Sequence, residues 1–547
     1  MAVANEVARV VMRNRILWFG GRWGRSGSDE FSNRELELTM RPLAPLIDQE
    51  LAGVRGVVYS IDGIERTLVR RHLEENLARI YDHGIAAMLL APSDHDIIHV
   101  QDKIQAAGLR KIAHVRTGTP FTTPDHEIAQ LFVRHDARLG WSGKPIIHKP
   151  AELEISPTDE LLLRRAFADT DNIRLEPLSG GKTAEVFRVH AQFEIRSLLV
   201  QPLPFFAKLG ERSKVERELE NYREYANFYV PFHLRPNIDE RRTVLGSERG
   251  CLVGNFVELA QPLWVSVEEG SFSAPLNALF DTTLRGWWAQ GFSSQSGPVR
   301  GGSVAGALGK DIFDDQRVRE GHQARAIELG LKRAPTEIYE CLCDRGSIES
   351  YYQAPFHGDL HPENIFVRND DAILIDLGSA RLGPIGGDPA CLEVALVMDV
   401  RRSDLNWKPD EWRNDVDRLF APDGFERAPL PVEGKSAWKH RVNAVRKVRT
   451  LAQAAQICET GYQSAIAMYL LRRSMFDAAK FDGAPRLERT KLREIDAYRR
   501  AYALVLADRL VGEDKRTRNA GTRPDASLSR LSRKPPRGEF SAGAARG

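Results

Sequence analysis

The chain has 547 residues, with 77 Lys and Arg against 75 Asp and Glu. This length predicts about three domains, and the net charge of +2 argues against a globally basic nucleic-acid-binding protein. The five cysteines are odd in number and unevenly spaced, which argues against a disulfide framework. No apolar run approaches the roughly 18 residues of a membrane helix, so we expect a cytoplasmic protein without a membrane partner.

A short extension, residues 1–14, precedes a region in which strand-like and helix-like segments alternate. Within residues 15–142, the β-rich runs are ILWF, VRGVVYSI, IAAMLLA and KIAHVRT, and amphipathic stretches separate them. This alternation predicts a small parallel sheet with helical crossovers, in a Rossmann-like or receiver-like α/β domain. The region contains no convincing catalytic motif. On fold analogy it is interpreted as a sensor or docking module for a protein partner.

After residue 142, the composition and the pattern of strand-like and helix-like segments change. Glycine and proline mark residues 143–165 as a linker. The pattern of residues 166–260 predicts strands, a helix at SKVERELENYREYANFY and a final hairpin. Residues 261–512 are predicted to be mainly helical, with one hairpin at NIFVRNDDAILIDLG. The piece GFSSQSGPVRGGSVAGALGK is predicted to be a mobile loop. The basic, Gly- and Ser-rich residues 513–547 are predicted to be a disordered tail.

The most informative segment is FHGDLHPENIFV, followed by ILIDLG. It places Asp359 and Asn364 in one loop, and Asp376 at the end of the returning strand. Three oxygen-bearing side chains should therefore meet at one rim of a hairpin. Carboxylate and amide oxygens in this arrangement suit phosphoryl transfer, in which one carboxylate positions the attacking hydroxyl and the other two groups hold magnesium.

This segment resembles the aminoglycoside phosphotransferase-like family of the protein-kinase-like superfamily, whose loop reads HGDxxxxN and whose metal Asp lies in IDxG. The resemblance implies an α+β bilobal kinase-like fold that uses ATP and Mg2+. It also implies that Asp359 is the catalytic Asp, that Asn364 and Asp376 are magnesium ligands, and that His357 supports the loop within the catalytic group. Gly358, where eukaryotic protein kinases have Arg, is typical of the small-molecule kinase branch.

The same resemblance assigns nucleotide-binding residues upstream. Gly180 and Gly181 would form the turn over the phosphates, although Gly-Gly is also common in plain hairpins. A Walker A motif is rejected because a strand pattern follows where that motif needs a helix. Lys208 matches the phosphate-pairing strand lysine, unless it is an edge lysine that extends to solvent. Glu218 is its expected partner, with Glu220 as the alternative.

Two further assignments also rest on the resemblance. Val257 and Glu258 lie in the segment expected to form the hinge that reads adenine, and Glu393 lies where relatives carry the carboxylate that braces the catalytic loop.

The basic stretch from Lys435 to Thr450 has no Asp or Glu. It fits either an anionic or macromolecular partner or an ordinary solvated amphipathic helix.

The predicted function is that of an ATP- and Mg2+-dependent phosphotransferase (kinase) with an alcohol group as acceptor, on an unidentified small molecule or macromolecule. The alternative is a pseudokinase-type nucleotide-binding scaffold or regulatory module in a bacterial signalling or conflict system. Lys208, Asp359, Asn364 and Asp376 occur together, which favours the enzyme because a scaffold does not need all four.

Overall fold

The computed structural model describes residues 14–21, 28–51, 53–61, 66–91, 94–106, 115–118, 125–134, 145–178, 184–195, 198–200, 203–293, 297–421, 425, 434, 436–454, 459–477, 481 and 484–518. The chain divides into two compact units, Met1–Gly297 with Gln353–Asp388, and Pro298–Tyr352 with Pro389–Gly547. Residues 1–13 and 519–547, which hold most of the predicted extension and tail, lie outside the described residues. Among the described helices, none combines the length and apolar character needed to cross a membrane.

The first unit begins with a parallel sheet of five strands, as the alternating sequence pattern predicts. Its strands run in the order β2-β1-β3-β4-β5, which is that of doubly wound receiver-like domains. Neighbouring residues of β1 enter two different apolar clusters, Leu17 and Phe19 on one face and Ile16 and Trp18 on the other. Burial of both faces explains the continuous apolar runs. The strands are β1 (Arg15–Gly20), β2 (Glu37–Arg41), β3 (Val54–Ser60), β4 (Ala86–Leu90) and β5 (Val115–Gly118), and the helices are α1 (Ser28–Ser32), α2 (Asp48–Leu51), α3 (Arg66–Asp82), α4 (Asp94–Ala106) and α5 (Asp125–Arg134).

A second, mainly antiparallel sheet follows in the same unit. Its strands run in the order β11-β12-β10-β8-β7-β6, with β9 paired to β8, and only the β6–β7 pair is parallel. Alternate residues of β10, Ala207 and Leu209, enter its buried core, as expected for a half-buried strand. The elements are β6 (Ile146–His148), α6 (Pro157–Ala166), β7 (Asn172–Pro177), β8 (Glu185–Ile195), β9 (Leu198–Val200), β10 (Phe205–Glu211), α7 (Arg212–Asn221), β11 (Val244–Leu245) and β12 (Arg249–Asn255).

The predicted linker, residues 143–165, contains regular structure. Strand β6 extends the antiparallel sheet through β7, and helix α6 begins at a Ser156 cap whose side chain accepts a hydrogen bond from the Asp159 amide. Leu162 and Leu163 of α6 are fully buried in the core of that sheet. These residues therefore belong to the antiparallel domain, and the exact domain boundary remains a prediction.

The rest of the first unit supplies the predicted hairpin. Strands Ile365–Arg368 and Asp371–Leu374 pair antiparallel, and Gln261–Pro262 joins them as a third strand. Strands Gln353–Phe356 and Arg381–Pro384 form a separate antiparallel pair. The helices of this part are Leu263–Glu269, Ser273–Ala278 and Arg285–Ser293.

The second unit is mainly helical, as predicted. The expectation of a mobile loop through residues 291–310 is wrong for the part that forms helix Val304–Ile312. Ser303 caps this helix by accepting from the Gly306 amide at 2.9 Å, and Ala305 and Leu308 are buried. One two-stranded sheet pairs Val299–Arg300 with Ser350–Tyr351. The other helices are Glu320–Glu328, Pro335–Cys343, Gly387–Met398 (which starts in the first unit), Pro409–Leu419, Ala437–Ala454, Glu459–Arg473 and Arg486–Arg518.

Candidate active site

The segment from His357 to Asn364, here called the catalytic loop, lies between two strands of the first unit. Its turns are closed by backbone hydrogen bonds, from His361 N to Asp359 O at 3.0 Å and from Asn364 N to His361 O at 2.8 Å. The Asn364 amide nitrogen also donates to Asp359 O at 2.9 Å. The Ile375 amide donates to Asn364 O at 3.0 Å, which places the residue before Asp376 beside the loop. These bonds place the loop and the end of the returning strand side by side, and the meeting of the three side chains at this rim stays a prediction.

A buried carboxylate braces the start of this loop. The Asp388 oxygens accept from the backbone amides of His357 at 2.8 Å and Gly358 at 3.0 Å. Burial raises the pKa of Asp388, while His357 and these two amides oppose the rise. The expectation that Glu393 does this is wrong. Glu393 is fully buried in the second unit, where it pairs with Arg449 at 3.0 Å and accepts from the Tyr462 hydroxyl.

Local geometry explains the residues at the start of the loop. Gly358 has a φ of 76°, and a Cβ there would lie 2.5 Å from Ser379 O, so only glycine fits. The His357 side chain is fully buried and donates from Nε2 to Ile375 O at 2.8 Å. His357 therefore supports the strand end that precedes Asp376, and its predicted support of the loop stays a prediction. Its contacts identify it as a positioning residue.

Lys208 joins the predicted helix carboxylate to the predicted metal carboxylate. Its Nζ donates to Glu218 Oε2 at 2.7 Å and to Asp376 Oδ1 at 2.9 Å. Lys208 lies on β10 between β8 and β12, and it is not an edge lysine. Glu220 is exposed on the same helix. The structure thus favours Glu218 over the alternative partner, and it brings together three residues that are far apart in sequence.

These contacts set the protonation of the three side chains. Burial raises the pKa of Glu218 to about 7, and Lys208 opposes that rise. Burial also disfavours the charged form of Lys208, but the Glu218 and Asp376 carboxylates outweigh it and raise the pKa of the ammonium. Partial desolvation raises the pKa of the Asp376 carboxyl, but Lys208 and His357 together outweigh this effect and hold the pKa below its usual range. Lys208 is therefore protonated and Asp376 is ionised.

A further contact, between α7 and the Asp376 segment, has no signal in the sequence. Asn221 donates from Nδ2 to Leu377 O at 3.0 Å and to Gly378 O at 3.3 Å. Asp376 itself has a φ of 59°, which is uncommon for a residue other than glycine. Strained backbone of this kind concentrates at functional sites, where surrounding contacts maintain it. Helix α7 therefore contacts the Asp376 segment through both Glu218, by way of Lys208, and Asn221.

The donor atoms fit a magnesium ion. Because the Asn364 nitrogen donates to Asp359 O, the amide oxygen is the atom left to face a cation. The Asp376 side chain is about half exposed, at 49%, and Lys208 contacts only its Oδ1. Magnesium prefers such hard oxygen ligands and keeps several waters and phosphate oxygens besides them. Among the described residues, no group of three or more His, Cys, Asp or Glu side chains could hold a metal ion.

The remaining predicted nucleotide-binding residues are Gly180 and Gly181 in the glycine turn and Val257 and Glu258 in the hinge segment. Gly180 and Gly181 lie outside the described residues, between strands β7 and β8, whose pairing agrees with the predicted hairpin and with the rejection of a Walker A motif. Val257 and Glu258 follow β12. The Glu258 carboxylate accepts from Arg188 at 2.8 Å, so its side chain is engaged within the sheet domain. That the backbone of this segment binds the adenine edge remains a prediction.

In helix Ala437–Ala454, three of the six Lys and Arg side chains of residues 435–450 contact carboxylates. Arg441 and Arg449 are buried, at 0% and 1% side-chain exposure, and pair with Asp404 and Glu393. Lys439 contacts Asp415 at 3.3 Å. Carboxylates from other segments pair with these three cations, which removes them from any surface for an anionic partner. Arg446 and Lys447 of the same stretch are partly exposed.

Comparison with known proteins gives one family match and a set of similar solved structures. Residues 304–427 match the family described as "Phosphotransferase enzyme family", whereas no curated protein matches the chain. An amicoumacin kinase in complex with AMP-PNP and Ca2+ is 11% identical with a TM-score of 0.35, covering 60% of this chain and 88% of that one. A choline kinase from Cryptosporidium parvum Iowa II is 13% identical with a TM-score of 0.32, covering 64% and 91%. The family match confirms the resemblance, and over residues 304–427 the chain is similar to the phosphotransferase enzyme family, as its catalytic loop predicts.

Proposed function

We propose that the protein is an ATP- and Mg2+-dependent phosphotransferase that transfers the γ-phosphoryl group of ATP to a hydroxyl group of a small molecule or macromolecule. One observation carries this proposal: Lys208 contacts both Glu218 and Asp376, at 2.7 Å and 2.9 Å, beside the loop that holds Asp359. A cation and several carboxylates in this arrangement provide groups for phosphate, metal and hydroxyl.

Each group has a defined task in this proposal. Asp359 accepts a hydrogen bond from the acceptor hydroxyl and orients its oxygen for attack on the γ-phosphorus. It receives the hydroxyl proton as the bond from the γ-phosphorus to the β–γ bridging oxygen breaks and ADP leaves. Lys208 binds phosphate oxygens, and Glu218 keeps the ammonium in place. Asn364 and Asp376 would hold magnesium, which supplies positive charge to the phosphate oxygens. Asp388 and His357 fix the backbone that carries these side chains.

A thermal-shift experiment tests the nucleotide site. MgATP is expected to raise the melting temperature of the full chain, because a ligand at 100 times its Kd stabilises the folded state by about 2.7 kcal/mol. Lys208→Ala should lose most of this shift, since it removes the cation that contacts phosphate. Lys149→Ala is the matched control, because Lys149 is an exposed lysine just after β6, at the end of the sheet away from α7, and its side chain donates to Leu153 O. Absence of any shift at millimolar MgATP would remove both the enzyme and the scaffold interpretation.

The pKa of Glu218 predicts a pH dependence. Because that pKa is about 7 in the folded protein, against 4.5 for an ordinary Glu, Glu218 becomes neutral as pH falls through 7. Neutral Glu218 no longer pairs with the Lys208 ammonium, so kcat/KM for MgATP should fall below pH 7. Stability should move the other way: the folded state binds the extra proton between pH 4.5 and 7, so this group favours folding less as pH rises.

Two variants separate Glu218 from other titrating groups. Glu218→Gln should give a lower kcat/KM, roughly tenfold at pH 8, without the acid limb near pH 7. Glu220→Gln, on the same helix but exposed, should keep the wild-type profile. An unchanged acid limb in Glu218→Gln would assign that limb to another group.

A further inference from the structure

The end of α3, in the parallel α/β domain, contacts the antiparallel domain within the first unit. Asp82 Oδ1 accepts from the Ser247 amide at 2.6 Å, in the turn between β11 and β12. The Arg165 side chain, on α6, donates to Asp82 O at 2.5 Å and to Leu245 O at 3.3 Å. Arg165 is only 4% exposed. These contacts attach the turn and α6 to the last residue of α3.

The neighbouring residue of α3 contacts the start of α7. The Arg212 guanidinium lies 5.3 Å from the centre of the Tyr81 ring, within the range of a cation–π interaction. Both side chains are buried, with Tyr81 4% and Arg212 8% exposed. The Arg212 amide also donates to Glu248 O at 2.8 Å, in the β11–β12 turn. The first residue of α7 therefore lies between the α/β domain and the turn that Asp82 holds.

Helix α7 lacks two of the usual polar signals at its first turn. Glu211, at its N-cap, makes no side-chain capping hydrogen bond, and the first turn contains no acidic residue. Caps and acidic residues in this position are what usually stabilise a helix start. Other contacts hold this turn. Lys214 pairs with Glu211 at 2.8 Å, and Arg212 lies 3.8 Å from Glu216. Val215 packs with Leu219 and Leu252. Among these contacts, that of Arg212 with Tyr81 is the one that reaches the α/β domain.

The other end of α7 belongs to the candidate active site. Glu218 holds Lys208 at 2.7 Å, and Asn221 holds the Leu377 carbonyl at 3.0 Å. At about 1.5 Å per residue, Arg212 and Glu218 are roughly 9 Å apart along one continuous helix. A shift or fraying of the first turn would therefore change the position of Glu218 relative to Lys208.

We propose that the α/β domain positions α7 through the contact between Tyr81 and Arg212, so that Glu218 holds Lys208 in place for MgATP. This inference rests on the proposed function and deepens it. Arg212 is a positioning residue, and the α/β domain is part of the working phosphotransferase. A ligand or partner that alters the end of α3 would change activity through the same contact.

Amide hydrogen exchange of the full chain tests whether the contact between Tyr81 and Arg212 holds α7, and this measurement does not depend on activity. Arg212→Met keeps the apolar stem and removes the cation, and Tyr81→Leu keeps an apolar side chain and removes the ring. Both should raise amide exchange in α7 roughly tenfold, while peptides of β10 and β12 stay as in the wild type. Arg212→Lys should restore most of the protection. Arg242→Met is the matched control, because Arg242 lies 5.5 Å from the Phe167 ring and pairs with Asp169, away from α7.

Activity supplies the second readout. In the same variants the KM for MgATP should rise roughly tenfold, and Arg212→Lys should again recover it. Wild-type exchange in α7 of both Arg212→Met and Tyr81→Leu would overturn the inference, as would exchange that rises equally across the whole first unit. A wild-type protein that transfers no phosphate would overturn the proposed function instead, and the exchange result would still decide whether the α/β domain holds α7.

Discussion

Asp359→Asn is expected to lower the rate of phosphoryl transfer by about a thousandfold and to leave MgATP affinity nearly unchanged. A positioned general base contributes about a hundredfold to ten-thousandfold, and its effect is confined to the transition state. The substitution keeps the shape of the side chain, and the backbone bonds that Asp359 accepts from His361 and Asn364 use its carbonyl oxygen. Single-turnover transfer and direct measurement of the MgATP Kd separate the two effects.

Asp370→Asn is the control for that substitution. Asp370 lies at the exposed turn of the same hairpin with a φ of 67°, a conformation that Asn also tolerates. It should transfer phosphate at the wild-type rate. If Asp359→Asn did so as well, Asp359 would have no part in the chemical step, and the scaffold interpretation would gain support.

Asp376→Asn should fail in a different way. It removes a charged oxygen ligand and the carboxylate that Lys208 contacts at 2.9 Å, so magnesium should bind more weakly. We expect the Mg2+ concentration for half-maximal activity to rise roughly tenfold or more, with transfer at saturating Mg2+ still reduced about a hundredfold. Asn also accepts the φ of 59° at this position, so backbone strain does not explain the loss.

A magnesium titration at fixed ATP measures this effect in the wild type and in both Asp variants. Asp359→Asn should keep the wild-type magnesium requirement, whereas Asp376→Asn should not. An unchanged requirement in Asp376→Asn would remove this residue from the metal site.

The sequence predicts the parts of the site that depend on local spacing. The hairpin, its loop and the strand that carries Lys208 are short segments whose apolar patterns and turns are encoded nearby. The choice between Glu218 and Glu220 also agrees with the structure, because the residue nearer the start of the helix is buried against Lys208.

Long-range partners could not be predicted in this way. Asp388 and Glu393 lie in one helix, and only the tertiary structure shows that Asp388 meets the loop while Glu393 meets Arg449. The charge of Arg441 predicts a surface position, yet its side chain is fully buried and pairs with Asp404, which also pairs with Arg499. The contact of Arg212 with Tyr81 joins two domains, and no local pattern encodes it.

The most direct test of the account follows the labelled γ-phosphate of ATP. The purified 547-residue chain, MgATP and a fractionated cell extract are incubated, and label is measured on small molecules, on macromolecules and as free phosphate. The account predicts that label moves to an alcohol-bearing acceptor with the wild-type protein and that Asp359→Asn abolishes this movement. No acceptor labelling by the wild type, or equal labelling by the wild type and Asp359→Asn, would contradict it.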